Sequence, residues 1–403
     1  MTQRHDALPG LAHVATCSFL ASRISPSLQF WLALGGGVAL ARAGERHGVK
    51  AGYSASLAAV TQTVAMIGPA RVNGPLTQAL NAPVVGSMLG RGRSFTATTL
   101  ACLAIRLVHY VILNVVFVLI VVGGLDEFVA TYDKVAGFLR ILPKGQTAAL
   151  VLTIIFNIGW AIFYSVVQVL AYRRALSRWP VEAPAAPATL PAEGDADDVA
   201  EILEPAARRH LPAGPVVTVA AAVCVLLLAS TAWPVLGGVA AGLALAVVVA
   251  RTFEASVWRL GFALAALLAF SAMFPAIIGA VDLDDATQRA IRIVLLVLVA
   301  TWARAAAGTT GVRRIARKTL AAFRLRTAAA LTDALDSDDR LLPAGRALVK
   351  ELEQVETKPV PMADALTRWV AGESSAYAAP PLEPLEPVDP IDPIAGDLAR
   401  DPA

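Results

Sequence analysis

The chain has 403 residues, 34 Lys and Arg against 31 Asp and Glu, and only 16% of it is charged, below the roughly 25% of ordinary soluble domains. With 56% apolar residues and a mean hydropathy of +0.61, it lacks the polar surface a water-soluble particle of this size needs, which excludes a typical soluble enzyme. The net charge of +3 conceals two unlike parts, since residues 1–180 sum to +10 and residues 181–403 to −7.

The N-terminus has Arg4 and an interrupted apolar patch over 11–21 without a small-residue cleavage site, so it is expected to be retained. A membrane crossing takes about 20 mainly apolar residues. Runs at 51–69, 107–124, 148–172, 213–233, 257–281 and 290–307 meet that length, and shorter runs at 28–41 and 235–250 bring the set to eight. Gly35, Gly36 and Gly37 lie inside the first short run, where small residues permit close helix packing.

Basic residues favour the cytoplasmic side of a membrane protein. The Arg173, Arg174, Arg178 cluster, the Arg251/Arg259 turn and the Arg313 to Arg326 cluster alternate with loops that are uncharged (233–238) or acidic (Asp282, Asp284, Asp285). That alternation puts the loop 126–144 outside, Arg91 and Arg93 inside, and the C-terminus in the cytoplasm. Arg42, Arg46 and Lys50 fall inside as well if 72–90 also crosses, which makes nine segments. The expected fold is therefore all-α, a polytopic protein of the bacterial cytoplasmic membrane with eight or nine transmembrane segments.

Composition divides the chain further. Residues 1–180 form an N-terminal helix group, 181–212 an acidic, Pro- and Ala-rich linker, 213–308 a four-helix membrane group, and 309–371 a cytoplasmic amphipathic helical region. Residues 372–403 repeat Pro after an acid (Glu383, Glu386, Asp389, Asp392), the composition of a disordered tail.

Candidate chemistry concentrates in the first group. Residues 68–90 hold three prolines and four glycines, expected to break any continuous helix, yet are too apolar for a loop. Irregular backbone in a membrane is tolerated where it is buried in protein or lines a polar cavity, and such segments form solute sites in transporters. Arg71, Asn73, Thr77, Gln78 and Asn81 would then supply hydrogen bonds; the alternative is a re-entrant connector. Arg106 and His109 share one helix face, three residues apart. Arg106 also fits a snorkelling interfacial anchor, and His109 a hydrogen-bonded packing residue. In 148–172, Thr153, Asn157, Tyr164 and Gln168 fall at i, i+4, i+11 and i+15, one polar stripe that serves either interhelical hydrogen bonding or a water-lined path. Cys17, Cys102 and Cys224 and the five histidines show no disulfide or metal-ligand spacing, and no catalytic or cofactor motif occurs.

From His210 to about Phe323 the layout is a proline-containing lead-in, two close helices, a basic turn, a long helix, and then Arg289-Ala-Ile-Arg292 opening a helix that ends at Thr309-Thr310. This layout resembles the membrane part of the T (scaffold) subunit of energy-coupling factor transporters. The resemblance implies cytoplasmic coupling helices with Ala-Arg-Gly motifs that dock on ATPase subunits; this chain has Ala344-Gly345-Arg346 in that region and no further membrane helix.

The expected partners are the lipid bilayer, a small polar or anionic solute and a cytoplasmic protein, with no nucleic acid, cofactor or metal. A transporter or transporter subunit is the function these features suggest, and a non-transporting membrane scaffold that recruits partners through linker and tail is the alternative. No carboxylate pair or activated nucleophile suggests an enzyme.

Overall fold

The structure, a computed structural model, describes residues 7–68, 73–140, 142–180, 210–230, 232–250, 252, 255–336, 340–356 and 358–377. They form helices joined by short connections, with no strand among the described residues.

Helix α1 (Leu8–Ile24) leads into α2 (Gln29–Ile67). Gly48, at φ 81° and ψ 169°, folds α2 back on itself. A Cβ on Gly52 would stand 3.1 Å from Gly44 Cα, so the two halves of α2 form a hairpin. Gly68, at φ 80°, ends α2, and 69–72 lie outside the described residues; of the expected broken segment 68–90, 73–90 is instead one continuous helix, α3 (Asn73–Gly90). Pro75 lies in its first turn, where an N–H has no intrahelical acceptor and its loss is harmless. Pro83 does remove one helical bond, but it sits in a notch at Gly44, where a Cβ would stand 2.2 Å from the Pro83 carbonyl oxygen. The apolarity of 73–90 is the apolarity of a helix packed on α2.

Helix α4 (Phe95–Val116) starts at Ser94, whose Oγ accepts from the Ala97 N–H, and runs on as a π-turn, Phe117–Val122. Helix α5 (Leu125–Leu139) occupies most of the expected 126–144 loop, and α6 (Gln146–Ser177) follows. The second half contains α7 (Ala213–Ala229), α8 (Trp233–Ala250), α9 (Ala255–Ile277) and α10 (Leu283–Ala322), the last kinked at Gly308. Then come α11 (Arg326–Asp336), α12 (Leu341–Glu353) and α13 (Pro359–Ala376).

Five of these helices are long and apolar enough to cross a membrane: Phe95–Val122, Gln146–Ser177, Trp233–Ala250, Val257–Ile277 and Leu283–Ala322; α7 is apolar but has 17 residues. They expose Val108, Val111, Ile155, Phe156, Val248 and Val249, a surface suited to hydrocarbon. The expected crossings at 28–41, 51–69 and 72–90 are not among the five. Their apolar faces are covered by protein instead, in a core that unites Leu11 and Phe19 of α1 and Leu34 of α2 with Leu331, Leu348, Leu366 and Trp369 of α11–α13. The 309–371 region is thus not a separate appendage but the other half of a bundle whose first half is α1–α3. Ala344 and Gly345 are buried in that bundle, Gly345 against the Cys17 carbonyl.

The bundle is keyed to α6 in a defined register. The rings of Phe30 and Tyr164 lie 6.4 Å apart, and the Arg42 guanidinium sits 4.8 Å above the Trp179 ring, so the first half of α2 runs parallel to the second half of α6. Arg174 forks onto Asp364 with two bonds of 3.0 Å, Arg178 donates to the same carboxylate at 2.6 Å, and Arg313 and Arg317 of α10 pair with Asp336 and Asp333 of α11. The basic ends of α6 and α10 therefore meet the same group of C-terminal helices.

Hydrogen bonds from Arg174 are the largest influence on the Asp364 carboxyl; burial opposes them, and with the charges of Arg174, Arg178 and Arg368 they hold it below its usual range. A depressed carboxyl adds stability above its unfolded pKa and loses it as pH falls through the folded value. Hydrogen exchange in α13 is accordingly expected to quicken progressively as pH falls below the ordinary aspartate range of about 4, and Asp364→Asn to show the quickened exchange already at neutral pH.

Helix α13 continues past the expected tail boundary at 372, and Tyr377 stacks on His13 at 4.5 Å. The remainder of the tail and linker residues 181–209 lie outside the described residues.

Candidate functional site

Where α3, α4 and α6 converge, polar side chains spaced by one helical turn face inward. Cys102 and Arg106 are i, i+4 on α4, and Tyr164, Gln168 and Tyr172 repeat that spacing on α6. Gln168 is the hub. Its Oε1 accepts from Arg106 Nη2 and, at 3.6 Å, from the Cys102 thiol. Its Nε2 donates to Gln78 Oε1 at 2.7 Å and to Tyr172 Oη at 2.9 Å, and Tyr172 Oη donates to Gln78 Oε1 at 2.5 Å. The guanidinium carbon of Arg106 lies 5.7 Å from the centre of the Tyr164 ring.

All five members of this hydrogen-bonded network are at most 8% exposed, and Arg106 is 4% exposed. Arg106 is therefore not a snorkelling anchor, because α3 and α6 enclose its guanidinium before it can reach an interface. Its environment is neutral: an amide oxygen and an aromatic face, with the Nε–H buried and unpartnered and no carboxylate pairing with it among the described residues. A buried cation without a counter-charge is costly by several kcal/mol, so an anion reaching the Nε side would relieve it.

Room for the network comes from Gly37 of α2, where a Cβ would stand 2.0 Å from Tyr172 Oη and 2.9 Å from Gln78 Oε1. Gly35 and Gly36 also make close contacts, a Cβ there standing 2.7 Å from Ser18 Oγ and 2.4 Å from the Phe19 ring respectively, as the expected packing role requires.

Of the residues singled out from sequence, Gln78, Arg106, Tyr164 and Gln168 meet here. His109, 8% exposed, is adjacent on α4. Asn157 does not join them: its Oδ1 accepts from Asn114 Nδ2 at 3.2 Å and its Nδ2 donates to Thr153, a neutral α4–α6 tie. Asn81 turns back to the Thr77 carbonyl at 3.1 Å, leaving its own Oδ1 buried and unpartnered. Asn73 opens α3, while Arg71 lies outside the described residues. Cys102 and Tyr172 are members that sequence reasoning misses, although each lies one turn from a residue it does select.

A second polar cluster closes the far end of α4. Arg289 of α10 pairs with Glu127 of α5 and donates to the Val122 carbonyl at 2.7 Å, and Arg292 donates to the Ile120 carbonyl at 2.9 Å. These bonds satisfy carbonyls of the π-turn. Elsewhere, Cys17 and Glu373 approach the same nitrogen of His13, at 3.4 and 3.1 Å. Sharing one nitrogen is not the arrangement of a nucleophile relayed through histidine to an acid, which needs both; it ties α13 to α1. No group of three or more metal-ligating side chains occurs among the described residues.

No family model, no curated protein and no solved structure matches this chain.

Proposed function

We propose that this chain is a multi-pass protein of a bacterial cytoplasmic membrane that recognises a small anionic solute at Arg106, as a transporter or transporter subunit. One observation carries this function: a guanidinium held inside a membrane-type helix by neutral partners, with a donor left over. Intramembrane ionisable groups mark solute paths more often than they serve stability. Gln168, Gln78 and Tyr172 act as positioning residues that fix the guanidinium, and the bundle of α1–α3 with α11–α13 faces the cytoplasm with the basic ends of α6 and α10.

Arg106→Gln distinguishes recognition from structural support. Removing a charge that lacks a counter-ion is expected to leave the protein as stable or raise its thermal midpoint. Phosphate, sulfate or a small carboxylate is expected to stabilise the wild type in nanodiscs and to leave Arg106→Gln unmoved, while Asn157→Ala still responds. An anion response that survives in Arg106→Gln, or a wild type stabilised by none of these probes, overturns the assignment.

A further inference from the structure

Past Gly308, which at φ 67° and ψ 168° kinks α10, the helix carries Arg313, Arg314, Arg317 and Lys318, and no acid occurs from 304 to 326. The three arginines line a cleft of about 170 Å³ between α10 and α11, together with Thr310, Thr332, Asp333 and Asp336. The charges do not cancel. Arg313 pairs with Asp336 and Arg317 with Asp333, which fixes both guanidiniums against α11, while Arg314 meets no carboxylate among the described residues. Each pairing occupies only part of a guanidinium that has five N–H donors, and the Arg313 Nε–H is buried without a partner. The cleft therefore keeps one uncompensated cation beside two that are held in place with donors to spare.

We infer that this cleft binds the phosphate of an anionic phospholipid with a small head, a phosphate monoester such as that of phosphatidic acid. The planar fork of arginine matches the oxygens of a phosphate and gives nothing comparable to a neutral head. The cleft is well below the roughly 300–1,000 Å³ of drug-sized sites, so it takes a terminal phosphate and excludes a nucleotide. Its place selects lipid as the source. It opens just past the apolar run that ends at Ala307, on a helix of membrane-crossing type, and juxtamembrane clusters of Lys and Arg meet lipid phosphates. At the turn into α11, Phe323 and Leu325, 73% and 38% exposed, alternate with exposed Arg324 and Arg326, the mixture of apolar and basic groups that settles at a membrane surface. This site shares no residue with the Arg106 network.

Native mass spectrometry of the full chain in neutral detergent, with dioleoyl phosphatidic acid or dioleoyl phosphatidylcholine added, measures the affinity of the first bound lipid. Phosphatidic acid is expected to bind at least about fivefold more tightly, the scale of one Lys or Arg at an anionic surface. Arg314→Gln, which leaves both ion pairs in place, is expected to erase that preference. Arg91→Gln, which removes another exposed cation between α3 and α4, and Arg106→Gln are expected to keep it. Soluble glycerol 3-phosphate in large excess is expected not to displace the lipid. Equal affinity for the two lipids, a preference that survives Arg314→Gln, or one lost as fully in Arg91→Gln or Arg106→Gln overturns the inference; displacement by glycerol 3-phosphate overturns the lipid source and assigns the cleft to a phosphate from solution.

Discussion

Gly86→Ala is expected to destabilise the protein by about 3 kcal/mol, at the top of the range for overpacked sites. The added Cβ would stand 1.8 Å from the Ala41 carbonyl oxygen and 2.5 Å from its carbon. Both are backbone atoms of α2, so no side-chain rotation relieves the clash and the two helices must move apart. Separation also lifts Pro83 out of its notch at Gly44, and Pro83 has no N–H to donate to the helix. Gly238→Ala is the control, because a Cβ there meets nothing within 4 Å and its effect is expected within about 0.5 kcal/mol. Thermal midpoints of the two purified variants in the same detergent check the prediction; equal midpoints would mean that α2 and α3 are not packed this closely.

Arg289→Met is expected to be nearly as damaging, by about 2–3 kcal/mol, less than the 3–5 of a fully buried pair because Glu127 keeps 27% exposure. The substitution strands the Glu127 carboxylate and withdraws a donor from the Val122 carbonyl. A π-turn leaves carbonyls that its own helix does not satisfy, so α4 frays from that end and α5 detaches from α10. Glu127→Gln keeps the hydrogen-bonding shape and is expected to cost less than half as much. Combining the two substitutions in a double-mutant cycle isolates the pair, and strictly additive effects would show that the two side chains do not interact.

The polar stripe on α6 is legible in the amino-acid order alone, because a helix in an apolar setting must turn Thr153, Asn157, Tyr164 and Gln168 toward protein, and period alone fixes that they share a side. Gly35, Gly36 and Gly37 are legible as packing residues for the same reason. Their partners are not: nothing in the amino-acid order pairs them with Phe19 on α1 or Tyr172 on α6. Hydropathy measures composition rather than what covers it, so α2 and α3 read as membrane spans in the amino-acid order while the structure packs their apolar faces against α1 and α11–α13. Three prolines signal a break at 68–90 because the notch that holds Pro83 is made of glycines on another helix. Arg106 reads as an interfacial anchor because the sequence shows its distance from the helix start and not the amide of Gln168 across from it.

The central claim, that Arg106 is an anion-recognising group, is tested most directly by charge displacement in proteoliposomes on a solid-supported membrane after rapid exchange into phosphate, sulfate or benzoate. The wild type is expected to give a transient current with at least one of these anions, and Arg106→Gln, folded and reconstituted to the same density, is expected to give none. Equal currents from the two proteins, or no current from the wild type with any of the three, would contradict it.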